Sequence, residues 1–178
     1  MKSTLLRLGL ILGLVLSAAC STIDTSEAPR LQAEATWAIL PFANNTETPM
    51  AGNRAEAIAE ALLRSQGIPH VQRYPAELQQ DALFATGERK DPADALAWAR
   101  QAGARYALTG SVDEWRYKVG VDGEAAVGVV LSIVDVESGR AVWSGSGAQS
   151  GWSREALSGV AQRLLRRLLG AGLSGRTN

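Results

Sequence analysis

The spacing of apolar residues changes along the chain, and each spacing marks a different kind of element. Leu157, Val160, Ala161, Leu164, Leu165 and Leu168 fall at i, i+3, i+4, i+7, i+8 and i+11, the stripe of an amphipathic helix. Arg163, Arg166 and Arg167 lie on its other face, and Ser153 is the expected N-cap. Ala55, Ile58, Ala59, Leu62 and Leu63 repeat the same period ahead of Gly67, a helix stop. Asp91-Pro92-Ala93-Asp94 opens a further helix that runs to Gly103. There Asp91 caps, Pro92 suits the first turn and Asp94 faces the positive end of the dipole. A short helix is expected from Ala76 to Ala85.

Elsewhere the period is two. Val127, Val129, Leu131 and Ile133 line one face of a strand from Glu124 to Val136, while Val130 and Val134 call for partial cover on the other. Strands from Arg105 to Val119 and from Arg140 to Gly147 flank it through the Asp122-Gly123 and Ser138-Gly139 turns, as an antiparallel meander. Trp37-Ala38-Ile39-Leu40-Pro41-Phe42 reads as a buried strand ending at the Asn44-Asn45-Thr46 turn cluster. Ile68 to Tyr74, between Pro69 and Pro75, reads as an edge strand. The order βαβα, then three strands, then a helix predicts an α/β fold. We expect a three-layer-like sandwich with a mixed sheet of about five strands and helices packed on it. One domain is expected over 36–170 and a flexible tail over 171–178; a length of 178 residues and 46% hydrophobic content suffice for one such core.

The first residues are of another kind. Lys2 and Arg7 precede an apolar run, Leu8 to Leu16, that ends in Ser17-Ala18-Ala19 and Cys20. The run is shorter than the roughly 20 residues a helix needs to cross a bilayer, and it has the build of a signal peptide over 1–19. Leu16-Ser17-Ala18-Ala19-Cys20 resembles a bacterial lipobox, although Ser17 stands where that pattern more often has Leu. The resemblance implies that the Cys20 thiol is lipidated, and Ser21 after it implies sorting to the outer membrane. Ser21 to Ala35 has no sustained apolar period and reads as a linker of 15 residues. At about 3.3–3.6 Å per residue it reaches roughly 50 Å, which keeps the domain near the membrane.

Charge sharpens this picture. The chain carries 18 basic and 18 acidic residues, which gives no support to nucleic-acid binding. That balance is a cancellation: residues 20–153 hold 11 basic and 17 acidic side chains, and residues 154–178 hold 5 basic and 1 acidic. With one Cys and one His, the chain can build no disulfide, Cys/His zinc site or Cys–His catalytic pair. His70 sits in the expected edge strand with no partner motif, so it reads as a surface or half-buried side chain. Gly145-Ser146-Gly147-Ala148-Gln149-Ser150-Gly151 lacks the Gly-Lys-Ser/Thr ending of a phosphate loop and the Gly-x-Ser-x-Gly of a nucleophile elbow. It reads as a flexible strand-to-helix connection. The carboxylate pairs Asp113-Glu114 and Asp122-Glu124 come without an acid/base framework, so no enzyme activity, metal or cofactor is expected.

Half of the ten aromatic residues are tryptophan. Trp37 and Trp143 fall in strands and are expected in the core; Trp98, on a helix, suits core or interface. Trp152 follows the glycine-rich segment, a poor place to bury an indole, and suits a membrane–water or protein interface.

Taken together, the lipobox, the linker, Ala38 to Thr46 and the Val134-to-Trp143 hairpin resemble the curli-secretion-like superfamily of outer-membrane lipoproteins. Tyr117 to Glu124 and Gly151-Trp152-Ser153-Arg154-Glu155 are most similar to its Pel exopolysaccharide-export members. That resemblance implies a non-enzymatic, outer-membrane-anchored periplasmic lipoprotein that assembles as a dodecameric ring. The ring would work with an outer-membrane β-barrel porin and guide a cationic polysaccharide to it for the biofilm matrix. It assigns Trp152 to membrane contact, Asp122 and Glu124 to an acidic polymer-facing surface, and Arg105 to a role in the ring. The independent body charge agrees, since acidic side chains attract a polycation over a Debye length of about 8–10 Å. A periplasmic lipoprotein activator of a peptidoglycan synthase is the second reading, sharing fold and anchor; those proteins need a long disordered tether, and 15 residues is short. A glycan-acting enzyme is the third, and lacks a motif.

Overall fold

The computed structural model describes residues 21–32, 34–76, 78, 92–120 and 123–177. A six-stranded mixed sheet organises them. Its strands are β1 (Ser21–Thr25), β3 (Trp37–Asn44), β4 (Val71–Arg73), β5 (Tyr106–Tyr117), β6 (Ala125–Asp135) and β7 (Arg140–Ser150), in the order β1-β7-β6-β5-β3-β4. β3 pairs in parallel with β4 and β5, whereas β5–β6, β6–β7 and β7–β1 are antiparallel, the expected meander with one further strand added. A second, two-stranded sheet joins β2 (Leu31–Gln32) in parallel to β8 (Arg176–Thr177).

Three helices among the described residues pack on the main sheet, and the alternation along β3 explains the layers. Trp37 and Ile39 point to the face covered by α1 (Ala51–Ser65) and α3 (Leu157–Gly172), with Ala55, Leu63, Leu164 and Leu168. Ala38 and Leu40 point to the other face, where α2 (Pro92–Gln101) packs through Ala95 and Ala99. A strand buried on both faces reads as a continuous apolar run, as this one does. Pro41 has no N–H to give a ladder, and the β3–β5 register shifts between Ile39 and Phe42. The Phe42 N–H next to that irregularity donates instead to Oε1 of Glu56 at 2.9 Å. Glu56 is 1% exposed and lies 3.6 Å from the Arg73 guanidinium. This buried carboxylate closes a gap in the sheet.

Four expectations are corrected. The linker over 20–35 is interrupted: Ser21–Thr25 is β1 and Leu31–Gln32 is β2, because Ile23 packs on the core and Leu31 is buried in it. The tail over 171–178 is likewise tied down, with α3 running to Gly172, Leu173 buried and Arg176–Thr177 in β8. The glycine-rich connection from Gly145 to Ser150 is the second half of β7. A Cβ on Gly145 would lie 2.6 Å from the Trp143 ring, and one on Gly147 2.9 Å from Leu164, so these glycines answer to packing and not to a loop. Finally, Ser153 does not cap the last helix, which starts at Leu157 after Ala156. The residues between form a separate turn, and the Leu157 N–H is met by the Tyr117 hydroxyl at 3.1 Å.

Asp91 and most of the short helix expected over 76–85 lie outside the described residues.

Candidate functional site

Strand register gathers several surface features at one end of the sheet. The start of β1 meets the end of β7, with Ser21 opposite Gln149. Next to it, Ser150 pairs with Ala126, Ala125 pairs with Tyr117 at the end of β5, and the Gly151 N–H reaches the Ala125 carbonyl at 2.7 Å. Trp152 follows Gln149 by three residues, or roughly 10 Å along a strand. The chain therefore leaves the sheet towards its N-terminus close to Trp152.

Residues 152–155 make a tight turn in which the Glu155 N–H donates to the Trp152 carbonyl at 3.0 Å. Arg154, its third residue, has φ +61, a left-handed conformation that costs a non-glycine residue about 1 kcal/mol or more. Oε2 of Glu155 accepts the Trp152 N–H at 3.0 Å, and Oε1 meets the Arg163 guanidinium on α3. Those bonds, first from Arg163 and then from the Trp152 N–H, hold the Glu155 carboxyl below its ordinary range. Gly151 allows the chain to pass here, since a Cβ would lie 2.6 Å from Val160 and 2.7 Å from the Glu155 carboxylate. The backbone is fixed while the indole it carries stays 59% exposed.

The neighbouring side chains are apolar and basic. Val119 is fully exposed and Tyr117 half-exposed. Lys118 donates to the Ser150 hydroxyl at 2.6 Å and lies 3.9 Å from the Glu124 carboxylate. Arg167 of α3 reaches the Ser21 hydroxyl at 3.0 Å and also the Gln149 side chain, tying the helix to the first strand. Exposed apolar and aromatic groups beside Lys118 are the kind of chemistry that suits a headgroup-facing surface.

The expected site residues divide between two ends. Glu124 and Trp152 share the end just described. Cys20 and Asp122 lie outside the described residues. Arg105 immediately precedes β5, roughly 40 Å of strand away from Tyr117. It pairs with Asp135 and Glu137, each at 2.7 Å, and its guanidinium lies 5.6 Å from the Tyr106 ring centroid. Donation from the Ser138 N–H, opposed by desolvation and aided by the Ser138 hydroxyl and the Arg105 charge, lowers the Asp135 pKa. Arg105 thus clamps the β6–β7 turn. Tyr117, Val119 and Glu155 fall within the two segments that carry the resemblance, but nothing in the sequence assigns them a role of their own; the signal for the first two is a pair of apolar residues beside an Asp-Gly turn.

His70 is exposed, with its carbonyl accepting the Trp37 N–H. Trp37 and Trp143 are in the core, and Trp98 packs edge-on against Tyr74. Among the described residues no group of three His, Cys, Asp or Glu could hold a metal ion, and no helix is long and apolar enough to cross a membrane.

Residues 25–148 match the family model of the peptidoglycan-synthase activator LpoB. Among solved structures, the PelC dodecamer of Paraburkholderia phytofirmans is similar over 89% of this chain and 100% of its own, with 42% identity and a TM-score of 0.75. A single-substitution form of that dodecamer gives 41% identity over 85% and 97% of the two chains, with a TM-score of 0.74. Lipoprotein GNA1162 of Neisseria meningitidis shares the fold, at 21% identity over 76% of this chain and 96% of its own, TM-score 0.54. No curated protein sequence matches the chain.

Proposed function

Because the chain belongs to the PelC family, within the wider LpoB-like group of lipoproteins, we propose that it is a lipid-anchored ring subunit of Pel exopolysaccharide export. In this reading Cys20 carries the lipid and holds the protein on the periplasmic side of the outer membrane. The copies assemble into a dodecamer like that of the Paraburkholderia protein. The ring then guides a cationic polysaccharide to a β-barrel porin. The chain's own part is mechanical and electrostatic, with no catalysis: it positions a charged surface at a membrane.

The observation that supports this best is the pairing of Ser21 with Gln149. With Cys20 acylated, a described chain that begins beside the end of β7 would let acyl chains and the exposed Trp152 indole enter the same bilayer leaflet. The described part of the β5–β6 connection, with Glu124 3.9 Å from Lys118, belongs to that end too, and in this reading Asp122 and Glu124 form an acidic rim at the membrane-proximal mouth of the ring. Polymer would meet it last, just before the porin. Arg105, at the far end, supports the ring through the β6–β7 turn that it holds.

The family model keeps a peptidoglycan-synthase activator as the second reading. Such activators need reach, and here the expected 15-residue tether is replaced by a strand that begins at Ser21. The deciding experiment is a strain whose sole copy carries Cys20→Ser, assayed for membrane fractionation and for polysaccharide outside the cell. A soluble periplasmic protein with export lost is expected. Wild-type export from the soluble form overturns the proposal, and a matching defect in cell-wall synthesis with normal export favours the activator.

A further inference from the structure

The sheet is covered unevenly. α3 packs across β7, β6, β1 and β5 on one side. On the opposite side of those strands no described helix packs; α2 reaches only the part around Ala38, Leu40, Ala107 and Val136. The bare area holds two adjoining shallow depressions, ≈ 370 and ≈ 470 Å³, floored by small side chains such as Ser144, Ser146 and Ala148. Val130 stands near its middle, 38% exposed. Its rims are acidic. Asp24 is exposed on β1, and Asp113 on β5 is held by Asn45 and Ser111, with no cationic partner among the described residues. Glu114 beside it is offset by Arg116 at 3.0 Å.

The outward face of α3 is the complement of this surface. Arg163, Arg166 and Arg167 are all exposed, and Arg166 has no ion-pair partner among the described residues. The two surfaces lie back to back, one on each side of the same four strands. A ring needs two different, complementary patches on every copy, placed so that successive copies turn by a small angle, about 30° for twelve. Patches on nearly opposite sides of a protomer meet that requirement.

We propose that the bare sheet face of one copy receives the arginine face of α3 from a second copy, and that this head-to-tail contact closes the ring. The inference rests on the ring reading of the preceding section. It gives the acidic body and the basic last helix a shared purpose: each subunit is attracted to the next.

The test uses the mature lipoprotein in detergent, sized by native mass spectrometry. Wild type is expected as a ring. Arg166→Glu and the pair Asp24→Lys with Asp113→Lys are each expected to need at least about tenfold more protein to assemble, because like charges then meet at every joint. Mixing the two variants is expected to restore a ring in which they alternate, which neither misfolding nor a general loss of charge could do. A wild type that stays monomeric overturns the ring reading and this contact with it. Intact rings from both variants overturn the contact alone, and if export is then lost as well, the bare face holds the polymer and not a neighbour. Broken rings that mixing fails to restore, in variants with unchanged melting temperature, also overturn it.

Discussion

Ser21 and Gln149 face each other across the β1–β7 ladder, and one guanidinium, that of Arg167, bonds to both side chains. The start of the described chain is thereby fixed to a strand end and to the last helix. An anchor on residue 20 would have little freedom to let the domain tumble away from its membrane, and the surface around Trp152 would be held against it.

Trp152→Ala should therefore weaken membrane contact without weakening the fold. Three acyl chains would mask the effect, so the experiment is best made in a Cys20→Ser background with vesicles containing anionic lipid. Burying a large apolar side chain is worth about 1.5–3 kcal/mol when complete. A partly immersed indole should then cost on the order of fivefold in binding per copy, with the melting temperature unchanged. A large drop in melting temperature would show that the ring is part of the core.

The turn beneath the indole should respond to acid. The Glu155 pKa is lowered in the folded protein by Arg163 and the Trp152 N–H. The folded state therefore holds fewer protons at this site than the unfolded state. Its stabilisation is fully present above the ordinary glutamate value of about 4.3 and is lost as pH falls through the lowered folded value. With 5-fluorotryptophan incorporated, the Trp152 resonance should stay constant from pH 7 to 5 and move only below about 4.3. Movement centred above pH 5 contradicts the assignment.

Gly145→Ala tests why the second half of β7 is rich in glycine. Its Cβ would lie 2.6 and 2.7 Å from two atoms of Trp143, a ring with nowhere to go. Overpacking of this kind costs about 1–3 kcal/mol, or roughly 3–10 °C in a chain of this size. Ser146→Ala, on the bare face, should stay within about 0.5 kcal/mol of wild type. Equal effects at the two sites would refute the packing explanation.

Asp122→Lys addresses the acidic surface. Assembly should be retained, since the substitution changes none of the side chains assigned to either ring face, while polymer outside the cell should fall several-fold. Normal secretion by this variant removes Asp122 from the polymer path.

These cases also show what the sequence could reveal. The valines of β6 and the leucines of α3 announced themselves because burial on one side imposes a period, and period survives in a linear string. Gly145 to Ser150 and Ser21 to Thr25 did not. In both, the strand is held largely by backbone pairing and the side chains, Ile23 apart, are small or polar, so composition resembles a loop. Leu31 and Leu173 are single core contacts in irregular segments, with no period to display them. The site was legible at Trp152, whose position before a helix was awkward for burial. It was hidden at Tyr117, whose hydroxyl caps a helix 40 residues away. The pairing that holds this end of the sheet together joins residues 128 positions apart, and no local pattern encodes such a contact.

That separation also sets an order of events. Contacts between distant positions close late, because the loop entropy must be met before the pairing can offset it. β1 cannot join the sheet until β7 has been made and folded, so the strand that begins the described chain is the last to lock. Until then Ser21 to Thr25 is unpaired chain. When β1 zips onto β7, the same segment stops being free chain and becomes the outermost strand of the sheet, locked at its start by Arg167.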